Sequence, residues 1–415
     1  MSFLTHLECT ECGKKFSAEK VQTICEECEA PLFARYDLER INDSLDKKDL
    51  RSRYPSMWRY REFLPVKKDE NIVSLGEGFT PIHQLGNLGK EIGLSRLYMK
   101  DEGVIPTGTF KSRGLAMGVS KARELGISKI AIPSAGNAAG ALAAYGAKAG
   151  IDIYVVMPKI APKACIIESY MLGANVYLVD GLLPDCGKIV EEGKKKYDWF
   201  SISTTKEPYR VEGKKTMGLE LAEQFSWKLP DTILYPTGGG TGLIGMWKAF
   251  NELEEMGWVD RNEFPKMIPV QAEGCAPIVK AVEHGREKSE TWQNPETIAD
   301  GIQVPKAFAD KLILKAVDES GGTAVSVTDE SILKISKELG RKEGVFACPE
   351  GAATLAGAKK LYEEGFIEPD EKVLLYNTGT GLKYINTYTK NLDIDIPVIE
   401  SAEDIIVDRK LSPKV

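Results

Sequence analysis

Histidine is scarce in this chain: among 415 residues only His6, His83 and His284 occur. None stands beside a serine or cysteine in a nucleophile signature, which argues against a Ser-His-Asp hydrolase, although such triads assemble in space and sequence order alone does not exclude one. Positive charge is not in excess either. The formal net charge is −7, so the basic face of a nucleic-acid binder is not expected. No apolar run reaches the length of a membrane span, and the first residues lack the basic, apolar and small-residue order of a secretory leader. A soluble cytoplasmic protein with no membrane partner is the expectation. Internal repeats and low-complexity segments are missing as well.

The length suits two or three domains, and the apolar content is ordinary, with enough material for sizeable cores. Four of the eight cysteines (Cys165, Cys186, Cys275 and Cys348) are scattered and read as reduced thiols. The other four crowd the first thirty residues. Cys9-Thr-Glu-Cys12 and Cys25-Glu-Glu-Cys28 are two C-x-x-C pairs separated by twelve residues. Each pair can chelate one metal ion from a tight turn, and two pairs complete a tetrahedral thiolate site, so a structural zinc ribbon is expected; redox dithiols are the alternative. Glu11, Glu26 and Glu27 make the tips acidic, which disfavours nucleic acid.

Residues 36–70 are charged and aromatic (Tyr36, Tyr54, Trp58, Tyr60, Phe63) and read as an extended arm with one short helix near Asp43–Arg51, packing on the body or on a partner chain; a plain linker is the near-equal alternative. From Val73 the pattern changes. Strand-like runs at Leu97–Lys100, Lys129–Ile132, Ile151–Met157, Val176–Val179, Thr232–Tyr235, Met267–Ala272 and Lys372–Tyr376 are interleaved with helical runs such as Leu115–Leu125, Ala138–Ala149, Lys215–Gln224 and Ser331–Glu343. Continuous apolar strands between helices imply parallel sheets buried on both faces, an α/β fold. The polar tail after Asn391 is expected to pack late or fray.

The chain is organised around Pro106-Thr-Gly-Thr-Phe-Lys-Ser-Arg-Gly114. A Pro-Thr-Gly turn presents Lys111 at the start of a helix-like run, and Gly108 and Gly114 let a planar ligand approach the backbone. Lysine is the side chain that forms a Schiff base with an aldehyde, and desolvation makes it nucleophilic. A lone lysine at a helix start is more often a solvated surface residue, so the reading rests on three further loops at strand carboxyl ends, where α/β sheets bind ligands. Ser134-Ala-Gly-Asn137 opens a helix of small residues and offers backbone N–H groups to a carboxylate, and Asn137 can bond a ring hydroxyl; ordinary capping is the equal alternative. Thr237-Gly-Gly-Gly-Thr-Gly242 can wrap a phosphate, and it lacks the lysine and spacing of a nucleotide loop. Asn377-Thr-Gly-Thr-Gly381 places Thr378 or Thr380 where a neutral hydroxyl could meet a pyridine nitrogen. A Schiff-base lysine, a carboxylate site, a phosphate cup and a ring-nitrogen partner together form the set that pyridoxal phosphate needs to act on an amino acid.

In the same order, Thr107–Gly114, Ser134–Asn137, Gly238–Gly242 and Thr378-Gly-Thr-Gly-Leu-Lys383 resemble the motifs of fold-type II pyridoxal-phosphate enzymes, and within that group the chain resembles the threonine synthases, from about Val73 to Lys383. The resemblance implies two α/β domains of the tryptophan synthase β type with the cofactor in the cleft between them: residues 36–105 and 204–400 forming the larger, 106–203 a smaller mobile one, with 1–35 as the ribbon and 401–415 as a tail. It further implies a homodimer that converts O-phosphohomoserine and water to threonine and phosphate. Carried over, Lys111 holds the cofactor and shuttles protons, Asn137 bonds the ring 3′-oxygen, Gly238, Gly239, Gly240 and Thr241 hold its phosphate, and Thr378 faces the ring nitrogen. Ser134, Ala135, Gly136 and Ala138 hold the substrate carboxylate, and Arg210 pairs with the substrate phosphate, with Lys159 or Lys163 as further candidates. The chain departs from the family pattern at Ser112, where aspartate is common, and at Thr204 and Thr205, which stand near the usual Asn and Ser; its glycine loop is closer to that of the dehydratases. Dehydration of threonine or serine, or β-replacement on phosphoserine, is therefore the enzymatic alternative, and a non-catalytic amino-acid-binding ribbon protein the alternative from another class.

Overall fold

The computed structural model describes residues 2–392 together with Ile396, Val398 and Ser401, so nearly all of the expected tail lies outside the described residues. At the amino end, β1 (Leu4–Cys9) runs antiparallel between β2 (Lys15–Phe16) and β3 (Leu32–Tyr36). Leu4, Leu7 and Cys9 are buried while Thr5 faces out. A module this small cannot bury a core of its own. Its apolar residues instead join one cluster with Leu115, Leu142 and Tyr145 of the body.

The arm carries more structure than its composition suggests. Two short helices, Leu38–Ser44 and Lys47–Leu50, are capped by Asp37 and Asp46, and a 3-10 segment follows at Met57–Phe63. Trp58, Tyr60 and Phe63 are buried in the body's core clusters. Apolar burial of these three rings, worth roughly 1.5–3 kcal/mol each, is what seats the arm.

The body contains two sheets. The chain lays down β4 (Ile82–Gln84) and β5 (Arg96–Asp101), departs to build a second sheet from β6 (Lys129–Pro133), β7 (Asp152–Pro158), β8 (Asn175–Val179) and β9 (Phe200–Ser201), and returns with β10 (Thr232–Pro236), β11 (Lys266–Ala272), β12 (Val325–Val327) and β13 (Lys372–Asn377). The strand orders are β12-β11-β10-β13-β5-β4 and β8-β7-β6-β9. Every pair is parallel except the edge pair β4–β5. The unbroken apolar run in β10 is buried along its whole length, as a strand covered on both faces must be.

Five helices position the site: α1 (Lys111–Glu124), α2 (Asn137–Ala149), α3 (Tyr209–Gln224), α4 (Thr241–Glu255) and α5 (Pro349–Glu363). α3 starts six residues before the expected Lys215 because its charged first turns are buried in pairs rather than solvated. Lys215 and Lys248 bind Glu212 and Glu252 at 2.7–3.1 Å, and the Tyr36 hydroxyl at the end of the ribbon donates to Glu212 at 2.8 Å. The expected helix Ser331–Glu343 is helical over Asp329–Glu338 and then widens into a π turn, Leu339–Glu343.

Candidate active site

Lys111 is the first residue of α1 and is delivered there by the Pro106-Thr-Gly turn, in which Thr107 and Gly108 both take the left-handed conformation (φ 64° and 66°). The turn is stapled to the loop after β13: Phe110 N–H donates to Thr378 O at 3.0 Å and Thr380 N–H to Gly108 O at 2.9 Å. A Cβ on Gly108 would lie 2.9 Å from Thr380 Cγ2, so only glycine allows this approach. Ser112, standing where the family pattern has aspartate, serves the turn: its hydroxyl meets Thr107 Oγ1 at 2.8 Å and the Pro106 carbonyl.

The loops expected from the sequence meet at one cleft, whose lining includes Lys111, Asn137, Gly238, Gly239, Gly240, Thr241 and Thr378. The Lys111 ammonium forms no ion pair among the described residues and lies 4.5 Å from the centroid of the Phe110 ring. Burial, reinforced by the Arg210 charge and opposed by Glu350, pushes it down to about 8. A lysine so placed is the neutral nucleophile about a tenth of the time at pH 7, far more often than a solvated lysine. Lys214, which donates to the Phe110 carbonyl, is pushed well down by burial and by the charges of Lys111 and Arg210.

Four helices start at this cleft: α1 at Lys111, α2 at Asn137, α4 at Thr241 and α5 beside Glu350. α2 follows Gly136 and α4 follows Gly240, and neither receives a side-chain cap. Capping of α2 by Ser134 does not occur, because the Ser134 hydroxyl accepts from Gly136 N–H at 3.3 Å instead. In the first turn of α2 the Ala139 N–H donates to Gly136 O at 3.0 Å, while among the described residues the N–H groups of Asn137 and Ala138, and those of Thr241, Gly242 and Leu243 in α4, lack partners, which is the physical basis of anion binding. Gly240 has φ +71°, and a Cβ there would fall 2.2 Å from Ile313 Cδ1. Thr378 is buried, with its hydroxyl 3.6 Å from Cys348 Sγ.

Not every expected residue reaches the cleft wall. Ser134, Ala135, Gly136 and Ala138 flank Asn137 on the same loop and first turn, outside the cleft's lining. Arg210 stands in the first turn of α3, 2% exposed, and is absent from the lining. Its Nη1 donates to Ile202 O at 2.7 Å, while its Nε has no partner. Burial pushes its guanidinium down to about 10, opposed by Glu207, and burial lifts the Glu207 carboxyl to about 7. Lys159 points elsewhere, pairing with Asp180 at 3.1 Å on the surface.

Sequence reasoning missed Glu350 and Tyr384, which also line the cleft. Glu350 sits in the first turn of α5, where Cys348 caps the helix and Pro349 takes its first position. That Cys-Pro-Glu opening before an alanine-rich run was the available signal.

In the ribbon the four cysteine sulfurs converge, all within 4.8 Å of one another, with Cys9–Cys28 at 3.2 Å, Cys12–Cys25 at 3.7 Å and Cys12–Cys28 at 3.8 Å. Zinc–sulfur bonds of about 2.3 Å in a tetrahedron put sulfurs about 3.8 Å apart. Glu11 at the ribbon tip pairs with Lys311 of the body.

Residues 73–379 match the family described as pyridoxal-phosphate dependent enzyme. The chain is 40% identical to the threonine synthase of Methanocaldococcus jannaschii over 377 residues, covering 90% of this chain and 92% of that one. It is 41% identical to the threonine synthase of Methanosarcina acetivorans, over 91% of this chain and 92% of that one. Among solved structures, maize serine racemase superposes with a TM-score of 0.63 at 22% identity, over 75% of this chain and 92% of that one. Threonine deaminase isoform 2 from Solanum lycopersicum gives 0.62 at 23%, over 75% of this chain and 87% of that one; at this identity both speak for the fold alone.

Proposed function

The chain belongs to the pyridoxal-phosphate dependent enzyme family, among the threonine synthases, and from that premise we propose that it converts O-phosphohomoserine and water to threonine and phosphate. The observation that carries the reading is the one cleft in which Lys111, without an ion pair among the described residues and pushed down to about 8, shares a wall with the uncapped glycine start of α4. An amine nucleophile beside unpaired N–H groups fits an aldehyde that carries a phosphate.

When bound, pyridoxal phosphate supplies the electron sink that stabilises negative charge at the amino acid's α-carbon. Lys111 would hold the cofactor through its aldehyde carbon, and its free amine would take the substrate's α-proton and later return protons. Gly238, Gly239, Gly240 and Thr241 would hold the cofactor phosphate, Asn137 would donate to the ring 3′-oxygen, and the Thr378 hydroxyl would serve the ring nitrogen. The backbone of Ser134, Ala135, Gly136 and Ala138 holds the substrate carboxylate at the start of α2. Arg210, with its Nε unpartnered, is the residue for the substrate phosphate. Deprotonation at Cβ lets phosphate leave from Cγ with the bonding pair of the C–O bond; Cγ becomes the methyl group, and the oxygen of water ends on Cβ.

The ribbon holds one structural zinc through Cys9, Cys12, Cys25 and Cys28, a reading supported by the sulfur spacing. Residues 106–203 form the smaller body that closes on the larger one (36–105 and 204–400), excluding bulk water from the cleft; the separate sheet β6–β9 supports that division. The enzyme works as a cytoplasmic homodimer. All eight cysteines are free, and no helix among the described residues is long and apolar enough to cross a membrane.

Turnover of O-phosphohomoserine in oxygen-18 water tests the reaction. The label is expected in the hydroxyl of threonine, with unlabelled phosphate released. Label in phosphate, with homoserine as product, would mean simple hydrolysis of the ester.

A further inference from the structure

Among the described residues Glu350 is the one acid in the cleft wall, and it is 2% exposed. Its Oε1 accepts two hydrogen bonds, from Gly301 N–H at 2.6 Å and from the Tyr384 hydroxyl at 3.0 Å, whereas Oε2 has no partner. Tyr384 is itself the acceptor of a hydrogen bond from Asn137 Nδ2, at 3.0 Å. A continuous chain thus runs from Gly301 through Glu350 and Tyr384 to Asn137, joining the segment after Ala299, the first turn of α5, the segment after β13 and the first turn of α2. The packing is tight: a Cβ on Gly301 would lie 2.6 Å from Glu350 Oε1.

An amide side chain at a helix start is free to rotate unless something fixes it. Here one Nδ2 hydrogen is committed to Tyr384, which leaves the other as a donor into the cleft. A buried acceptor without a donor costs roughly 1–3 kcal/mol, more when charged, so Oε2 is paired only when something in the cleft supplies a donor. The one ammonium in that lining is Lys111, which interacts electrostatically with Glu350.

We propose that Glu350 and Tyr384 are positioning residues: Tyr384, held by Glu350, aims the Asn137 amide at the ring oxygen of the cofactor, while the free Glu350 oxygen balances the amine charge at Lys111. The inference rests on the reading of Asn137 as the partner of the ring 3′-oxygen. Tyr384 suits the role because burial and the Glu350 charge hold its phenol well above the ordinary range, so it remains a donor to Glu350 at all working pH values. Glu350→Gln keeps an oxygen for Tyr384 and Gly301 but removes the charge. Tyr384→Phe keeps the ring but cuts the chain to Asn137.

The test is a double-mutant cycle on cofactor binding, read by the visible absorption of the lysine-bound cofactor and by its dissociation constant. Tyr384→Phe and Asn137→Ala are each expected to weaken binding about tenfold, as for one buried hydrogen bond, and the double variant about as much as either alone. Asp300 and Cys348 also face Glu350, and Arg210 and Lys214 face Lys111; with these groups kept, Glu350→Gln is expected to move the pH at which the visible band converts downward, because a negative charge that favours the protonated amine is gone. Effects of Tyr384→Phe and Asn137→Ala that simply add, or an unmoved band in Glu350→Gln, would overturn the inference while leaving the cofactor assignment standing. A wild-type protein that acquires no visible band with pyridoxal phosphate would overturn both. Circular dichroism of each variant separates these outcomes from a failure to fold.

Discussion

Arg210 exerts its charge on Lys111 without lining the cleft. A buried ammonium loses its proton more readily than a solvated one, and a neighbouring cation adds to that loss. Removing Arg210 therefore raises the Lys111 value above about 8, and at a given pH near neutrality a smaller fraction of the lysine is the free amine. The rate at which apoenzyme captures pyridoxal phosphate should rise with pH around that value, and in Arg210→Ala the rise should move to higher pH, by roughly half a unit to one unit. A stopped-flow pH profile measures it; an unmoved midpoint would remove Arg210 from the electrostatics of the site. At this scale the sequence was readable wherever a residue type has few other uses. Lys111 and the four glycine-loop residues stood out by composition, Thr378 came through the family resemblance, and all share the cleft. Glu350 and Tyr384 did not, since an acid in a helix's first turn and a tyrosine after a strand are commonplace, and only the fold brings them within 3.0 Å of each other.

α1 and α3 are the pair of elements on which the lysine depends. At Gly213 of α3 a Cβ would lie 2.1 Å from the Arg113 carbonyl oxygen of α1, and at Gly114 of α1 a Cβ would lie 3.1 Å from the Arg210 carbonyl oxygen of α3. The contact at Gly213 is with backbone, so the helices themselves must separate to admit a methyl group. The same pair is bolted by Arg113, buried between Glu102 and Glu220 at 2.5–2.8 Å. Gly213→Ala should cost about 1–3 kcal/mol by overpacking and shift Lys111 with α1, lowering both the denaturant midpoint and cofactor affinity. A variant of wild-type stability and affinity would show that the interface yields more easily than its geometry indicates. The central strands were legible because they are apolar runs bounded by turns. The edge strands β9 and β12, two and three residues long, were not, since a period of two cannot show itself over so short a stretch. The first turns of α3 read as loop because their charges pair only in three dimensions.

Across the whole molecule, the ribbon, the arm and the two sheets share cores rather than sitting as separate beads. One cluster runs from Leu4 of the ribbon through Trp58 of the arm to Tyr145 of α2, and Tyr36 joins the ribbon to the buried charges of α3. The arm's attachment was open in the sequence because its aromatic residues suited the body and a partner chain equally; burial of Trp58, Tyr60 and Phe63 places them in the body. Departures at Ser112 and Thr204 left the substrate open in the sequence, and the structure gives them local duties: Ser112 braces the lysine turn, and Thr204 lines the cleft beside Gly239. The central claim, that this cleft carries out a γ-elimination followed by addition of water, is tested most directly by mass spectrometry of the products from O-phosphohomoserine, threonine, serine, and phosphoserine with sulfite, each supplied to the holoenzyme separately. The account predicts threonine and phosphate from O-phosphohomoserine and no comparable turnover of the others; a 2-oxo acid or cysteate from the other substrates, with O-phosphohomoserine untouched, would contradict it.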